Sequence, residues 1–383
     1  MWRVPRLASG TEVEARRARD RYNRVVRRAT IGDVARSCGL SKTTVSKVMN
    51  LPPEELDVPP VTRQRVVDAA RALGYRPNWR ARAFASRRTH TVGLIHRESV
   101  PLGGELLHEI IITLGHALHA AGYELQFVGA SQEDQRWREL LLDERLDACI
   151  VVHELKPHVR DVLLEAALPA VLLNVVEDGP WPHVVADDVD GGMQVTRHLL
   201  SLGHRRIAFF DYNRPTRHMS ARSRFTGMNR ALAEAGLPPA AAPLVVDDPV
   251  AWAGQLVAQP RNERPTALVT NDVNVALPLL HGCWRHGLRV PADLSVATFN
   301  DVPATRISIP PLTAVAVPAR EMAVEAVRLL MAQLAPSTDA AADAADADAA
   351  ADESEAGTAV VPPHVVLPEH LTVRESTGAP PGV

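Results

Sequence analysis

The stretch TIGDVARSCGLSKTTVSKVMN, residues 30–50, decides how the front of this chain folds. Thr30 stands where a helix N-cap is wanted, and Asp33 three positions later supplies the other half of a capping box. Val34, Ala35 and Cys38 fall on one side of that helix and give it a small apolar face. Gly39 ends it, because the residue after a helix often turns left-handed, a conformation glycine adopts without strain. Leu40 bridges, Ser41 caps a second helix, and Val45, Val48 and Met49 form its buried side. The opposite side carries Lys42, Thr43, Thr44, Ser46 and Lys47, with Asn50 at the end. A helix that starts with such a surface of hydrogen-bonding groups is what a helix-turn-helix inserts into a major groove. An ordinary helical hairpin with a solvated face reads the same way in isolation, so the flanking sequence has to decide.

Charge is the first flanking signal. Residues 1–90 carry 20 Lys+Arg against 8 Asp+Glu, while residues 91–383 carry 22 against 37. A total of −3 therefore hides a basic end and an acidic body. A basic end attracts a polyanion, and an acidic body keeps the rest of the molecule off it. The length of 383 residues suits two or three domains, and 46% hydrophobic residues suit a large core. Met1 is followed by a charged stretch with no apolar h-region, and no uncharged apolar window approaches 18 residues, so neither a secretory signal nor a membrane span is expected. Cys38, Cys149 and Cys283 are odd in number and far apart, which suits a reducing cytoplasm and offers no metal spacing or disulfide framework.

Residues 30–50 closely resemble the DNA-binding helices of lactose-repressor-type (LacI-type) bacterial transcription regulators, and TRQRVVDAARALGYRPNWRARAF at 62–84 resembles their third helix and hinge. The resemblance runs on in order through 184–210, 220–238, TALVTND at 266–272, 287–313 and LPEHLTVREST at 367–377. Only residues 1–29 and about 335–360 lack a counterpart.

The expected layout follows. Residues 1–29 form an Arg-rich arm, expected to be disordered or to reflect an over-long translation start. Residues 30–76 form an all-α helix-turn-helix domain and 77–90 a hinge. From Thr91 short apolar runs (92–96, 123–129, 148–153, 170–175, 206–212, 266–271 and 295–299) alternate with helical segments. That alternation means parallel sheets covered on both faces. The resemblance implies an α/β two-lobed, periplasmic-binding-protein-like core over 91–377 that the chain crosses three times. Lobe 1 is expected at about 91–186 and 316–335, lobe 2 at about 187–314 and 360–377. The Ala/Asp-rich stretch within 336–359 reads as a solvated linker.

Ligands of open parallel sheets sit beyond the carboxyl ends of the strands. This points to Asn174, Asp187 and Asp188, Asn271 and Asp272, and Asn300 and Asp301. Arg224, read as opening a helix, matches the family's effector-contacting arginine, and a guanidinium fork suits a polar ligand. Asn174, Arg224, Asn271, Asp272 and Asn300 are therefore the expected effector residues. The family often has Asp where this chain has Asn174, and nearly always where it has Asn300. The family's aromatic pair on the first-lobe wall is replaced by Leu102-Gly103. Two fewer carboxylates beside Arg224 imply a cleft friendlier to anions, or an empty one, and favour a sugar, nucleoside or sugar-phosphate over a cation.

The resemblance assigns base readout to Lys42, Thr43 and Lys47, since Lys can donate to guanine and a Thr methyl can touch thymine. It assigns phosphate contacts to Thr30, Ser41, Thr44, Ser46 and Asn50. In the hinge, Arg80 adds charge near phosphates and Phe84 stands as the minor-groove wedge. The apolar faces of 105–120 and 272–286 suit a core dimer. No phosphate loop, G-x-S-x-G, H-E-x-x-H or C-x-x-C occurs, so neither an enzyme nor a cofactor or metal is expected. The sequence thus implies a cytoplasmic, nucleoid-associated repressor that binds double-stranded operator DNA as a homodimer and answers to a small-molecule effector. A regulator without effector response, or a small-molecule-binding protein without a regulatory role, are the alternatives.

Overall fold

The computed structural model describes residues 29–50, 56–76, 88–96, 104–131, 133, 135–212, 218–335 and 362–382. The expectations for the arm up to residue 28, for Arg80 and Phe84, for Leu102-Gly103 and for the linker 336–359 lie outside these residues. The chain divides into two units, Met1–Thr89 and His90–Val383.

Among the described residues, the first unit holds three helices. Ile31–Cys38 begins with the full capping box of Thr30 and Asp33, and Gly39 closes it at φ 63°. The Ser41 hydroxyl accepts from Thr44 N at 3.0 Å and so caps Lys42–Asn50. The third helix, Pro60–Ala72, starts with a proline, which is tolerated where the first-turn N–H groups lack helical partners. Val34, Ala35, Cys38, Val45, Val48, Val66 and Ala70 meet in one apolar cluster. Burying a valine contributes about 1.5–3 kcal/mol, so a handful of such contacts must hold this small unit together.

The second unit is built on two six-stranded sheets. In chain order the strands are β1 (Thr91–His96), β2 (Glu124–Gly129), β3 (Ala148–Val152), β4 (Ala170–Leu173), β5 (His183–Ala186), β6 (Ile207–Tyr212), β7 (Leu244–Val246), β8 (Ala267–Thr270), β9 (Ser295–Phe299), β10 (Thr313–Ala316), β11 (His364–Leu367) and β12 (His370–Thr372). The first sheet runs β11-β5-β4-β3-β1-β2 and the second β12-β10-β9-β8-β6-β7. Every pairing in the first sheet is parallel, and in the second only β10–β12 is antiparallel. Successive strand residues serve opposite faces. Val92, Leu94, Ile150 and Val171 join one cluster, while Ile95, Cys149, Val151 and Leu172 join the other. Two-sided burial is why these strands read as continuous apolar runs.

The seven strands read from apolar runs are present. Five others, β5, β7, β10, β11 and β12, are three or four residues long and, unlike the equally short β4 and β8, do not lie in those longer apolar runs. One lobe boundary needs correction. Residues 360–377 do not all lie in lobe 2, because β11 pairs with β5 of the first sheet through His364↔His183 to Leu367↔Ala186. The chain crosses between Leu367 and His370, and only β12 joins the second sheet, beside β10.

Candidate functional site

Two places gather polar groups. The first is the helix Lys42–Asn50. Val45 and Val48 are buried on its inner side, while Ser41, Lys42, Thr43, Lys47 and Asn50 are exposed and Thr44 and Ser46 half-buried. The residues expected at phosphates are tied into local hydrogen bonds. The Thr30 hydroxyl donates to Asp33 Oδ2 at 2.7 Å, Ser41 and Thr44 hydroxyls lie 2.8 Å apart, and Asn50 Nδ2 donates to Ser46 Oγ at 3.2 Å. Capping therefore orients these side chains. Lys42 and Lys47 project from the exposed surface, and the Lys42 stem passes so near the first helix that a Cβ on Gly32 would stand 3.2 Å from Lys42 Cε.

The second place is the carboxyl edge of the core sheets. His153 follows β3, Asn174 follows β4 and Asn300 follows β9, all at left-handed φ (69°, 58° and 67°). Asparagine accepts this conformation better than most residues because its short side chain bonds locally. The Asn300 Oδ1 is buried and has no hydrogen-bond partner among the described residues. Asp272 caps the helix Val273–Arg285, its side chain accepting from Asn274 N at 2.7 Å.

The lobes touch at this edge. His218 caps the helix Met219–Glu234, and its Nε2 lies 2.9 Å from the Asn174 carbonyl oxygen. Its Nδ1 accepts from Ser220 N at 3.2 Å, which leaves the proton on Nε2 to donate to Asn174. Burial pushes the His218 pKa down, against the pull of Asp188, so the neutral ring is favoured. The His153 ring stands edge-on to His218, with centroids 5.5 Å apart.

Arg224 does not open its helix. It lies in the second turn of Met219–Glu234 and is only 5% exposed. Its Nε donates to Asp188 Oδ1 at 2.7 Å and its Nη1 to the Asn271 carbonyl at 2.6 Å. Its Nη2 lies 3.9 Å from Glu369 Oε1, and its Cζ sits 4.1 Å above the centre of the Phe299 ring. Glycines make this meeting possible. A Cβ on Gly192 would stand 2.2 Å from the Arg224 carbonyl oxygen, and one on Gly227 2.0 Å from that of Val189. The helix Asp188–Ser201 can therefore lie almost backbone to backbone on Met219–Glu234.

Asn174 and Asn300 remove two carboxylates, yet two others, Asp188 and Glu369, stand beside Arg224, and both are buried. Glu369 escaped sequence reasoning, since nothing in LPEHLTVREST marks it apart from its place at a lobe crossing. Asp301 faces a different cation. Both its oxygens accept from Arg374 Nη2 at 2.7 Å, and although burial works against its charge, hydrogen bonds from Thr305 and Arg374 hold the carboxyl below the usual range. Among the described residues no group of three or more His, Cys, Asp or Glu side chains is placed to hold a metal ion, and no helix is long and apolar enough to cross a membrane.

Comparison with known proteins draws the two places together. Residues 30–78 match the family model of bacterial regulatory proteins of the lacI family, and 196–377 match the periplasmic binding protein-like domain. The chain is 30% identical over 316 residues to catabolite control protein A of Priestia megaterium, covering 79% of this chain and 91% of that protein. Among solved structures it is similar to the transcriptional regulator CelR–cellobiose complex (27% identity, 91% of this chain and 100% of the other, TM-score 0.61). The Lac repressor dimer bound to operator and the anti-inducer ONPF shares its fold (24% identity, 92% and 100% covered, TM-score 0.72). By sequence and by fold, this chain belongs to the LacI family of bacterial transcriptional regulators.

Proposed function

We propose that this regulator, which is not an enzyme, represses transcription by binding an inverted-repeat operator as a homodimer, and that a small polar effector in the cleft between its lobes changes that binding. The observation that carries the reading is the two-sided helix Lys42–Asn50, with Val45 and Val48 buried and Lys42, Thr43 and Lys47 exposed at its start. The apolar side fixes the helix and the polar side is free to enter a groove. Lys42, Thr43 and Lys47 read base edges, while Thr30, Ser41, Thr44, Ser46 and Asn50 hold phosphates. Arg80 and Phe84 serve the hinge in the minor groove.

One such helix reads too few base pairs for specificity, and two related by a two-fold axis match an inverted repeat. The exposed apolar side chains Trp284 (77%), Ile307 (80%) and Ile309 (92%) support self-association through the second lobe. The effector lies against Asn174, Arg224, Asn271, Asp272 and Asn300, at the carboxyl edge of the sheets. It shifts DNA affinity only by its differential affinity for two states of the core, typically about 1–3 kcal/mol. Such a protein acts in the cytoplasm, at the nucleoid.

Selection of genomic fragments by the full chain, with and without metabolite mixtures, tests this reading. Enrichment of inverted repeats that changes with metabolites is expected. Sedimentation as a monomer in the presence of DNA, or enrichment without any repeat, contradicts it. A second reading, a regulator without effector response, is favoured by the internal partners that Arg224 already has. Enrichment unaltered by every metabolite selects it.

A further inference from the structure

We infer that Asp188, with Glu369 held in reserve behind it, neutralises Arg224, which makes the cleft select uncharged polar ligands and reject phosphorylated or carboxylated ones. This rests on the reading of the interlobe cleft as the effector site. A guanidinium that binds an anionic ligand must bring surplus positive charge to it. Arg224 has none to bring. One face of the guanidinium covers Phe299, Nε is bonded to Asp188 and Nη1 to the Asn271 carbonyl. Glu369, 1% exposed, stands 3.9 Å from the remaining nitrogen, and its carboxyl shares a side-chain hydrogen bond with Asp188 when it carries a proton.

Charge counting gives the consequence. A buried ion without a counter-charge loses several kcal/mol of solvation, so a buried arginine needs one carboxylate. Here it has two. With both ionised the cluster is negative in a buried place, and Asp187 at the start of the helix Asp188–Ser201 adds to that field. Glu369 therefore keeps its proton: burial above all, with Asp188 and Asp187 adding and Arg224 opposing, moves its pKa up to about 8. At neutral pH the cluster is then neutral, and a phosphate oxygen finds no free cation. Should Asp188 lose its charge, Glu369 can ionise in its place, so neutrality is buffered. A buried unsatisfied acceptor, Asn300 Oδ1, stands after β9 at the same sheet edge. It calls for a ligand hydroxyl or N–H, which the dianionic phosphoryl group of a phosphate monoester lacks.

The test needs no knowledge of the effector. Thermal unfolding of the full chain at pH 7 is followed against inorganic phosphate, with chloride at matched ionic strength as control. Wild type is expected to respond to the two salts alike. Asp188→Asn is expected to do the same, because Glu369 takes over as counter-ion. The double variant Asp188→Asn, Glu369→Gln frees the Arg224 charge, and phosphate should raise its Tm saturably by several degrees more than chloride. Saturable stabilisation of wild type that disappears in Arg224→Gln overturns the inference, as does a double variant that responds no more than wild type. If the double variant does not fold, the wild-type chain still decides. Ribose 5-phosphate and glucose 6-phosphate are expected to give no shift beyond their ionic strength. A phosphorylated sugar that shifts wild type and not Arg224→Gln overturns the inference. The phosphate measurement uses neither DNA nor effector, so it stands apart from the effector reading, which fails when no metabolite alters operator binding.

Discussion

At the carboxyl edge of the first sheet the chain places His153 and Asn174; at the same edge of the second it places Asn271, Asp272 and Asn300, backed by Arg224, Asp188 and Glu369. The two sheets share a strand order, yet one edge meets its neighbour through a backbone carbonyl and the other conceals an ionic cluster. The fold supplies the place where a ligand goes, while a few residues at strand ends supply its chemistry. Left-handed asparagines mark both edges, at Asn174 and Asn300, so the difference lies in what stands behind them.

The largest expected effect breaks the ionic edge. Arg224→Ala leaves Asp188 and Glu369 buried without their cation, and removing one partner of a buried pair costs about 3–5 kcal/mol. Denaturant unfolding should show that loss, along with the loss of any effector response. A variant as stable as wild type would mean that water reaches the carboxylates and that the cluster is not sealed.

A smaller loss is expected on the neutral edge. Asn174→Ala keeps the carbonyl that accepts from His218 but puts an ordinary side chain at φ 58°, at a cost of about 1–2 kcal/mol. Asn174→Gly should recover most of it. Equal losses in both variants would place the contribution of Asn174 in its amide rather than its backbone.

The effect of pH on the intact chain is expected to be smallest below pH 6.5, because there the two edges pull in opposite directions. His218 has a lowered pKa, so its unfolded form takes up a proton first, and stability is lost as pH falls below the ordinary histidine value of 6.5. Glu369 has a raised pKa, from 4.5 to about 8, so its folded form holds the extra proton, and stability is lost as pH rises through that window. The stability of wild type relative to Glu369→Gln should therefore fall from pH 5 to pH 8. A flat difference would show that Glu369 is not shielded from water.

Legibility in the sequence follows the distance over which each feature is determined. The capped helix pair at 30–50 is set by contacts within one turn, such as Thr30 with Asp33 and Ser41 with Thr44, so its residues announce it. Strands that lie within longer apolar runs announce themselves too, whereas β7 and β12, three residues each, exist only through their partners. Arg224 is recognisable as a cleft residue, but its surroundings are not. Asp188 lies 36 positions away and Asn271 47, and Glu369 arrives from the far end of the chain, in the crossing between β11 and β12. Charge balance in a buried cluster depends on every member being known, and this is why the site reads as anion-friendly from its asparagines while we infer the opposite once Glu369 is counted.

The central claim is that the face of Lys42–Asn50 reads DNA sequence. It is tested most directly by equilibrium competition, at one fixed salt concentration, between the selected inverted repeat and a scrambled duplex, for wild type and Lys47→Ala. The expected result is a loss of about 1–3 kcal/mol on the repeat with little change on the scrambled duplex. An equal loss on both would contradict the claim and reduce Lys47 to a phosphate contact.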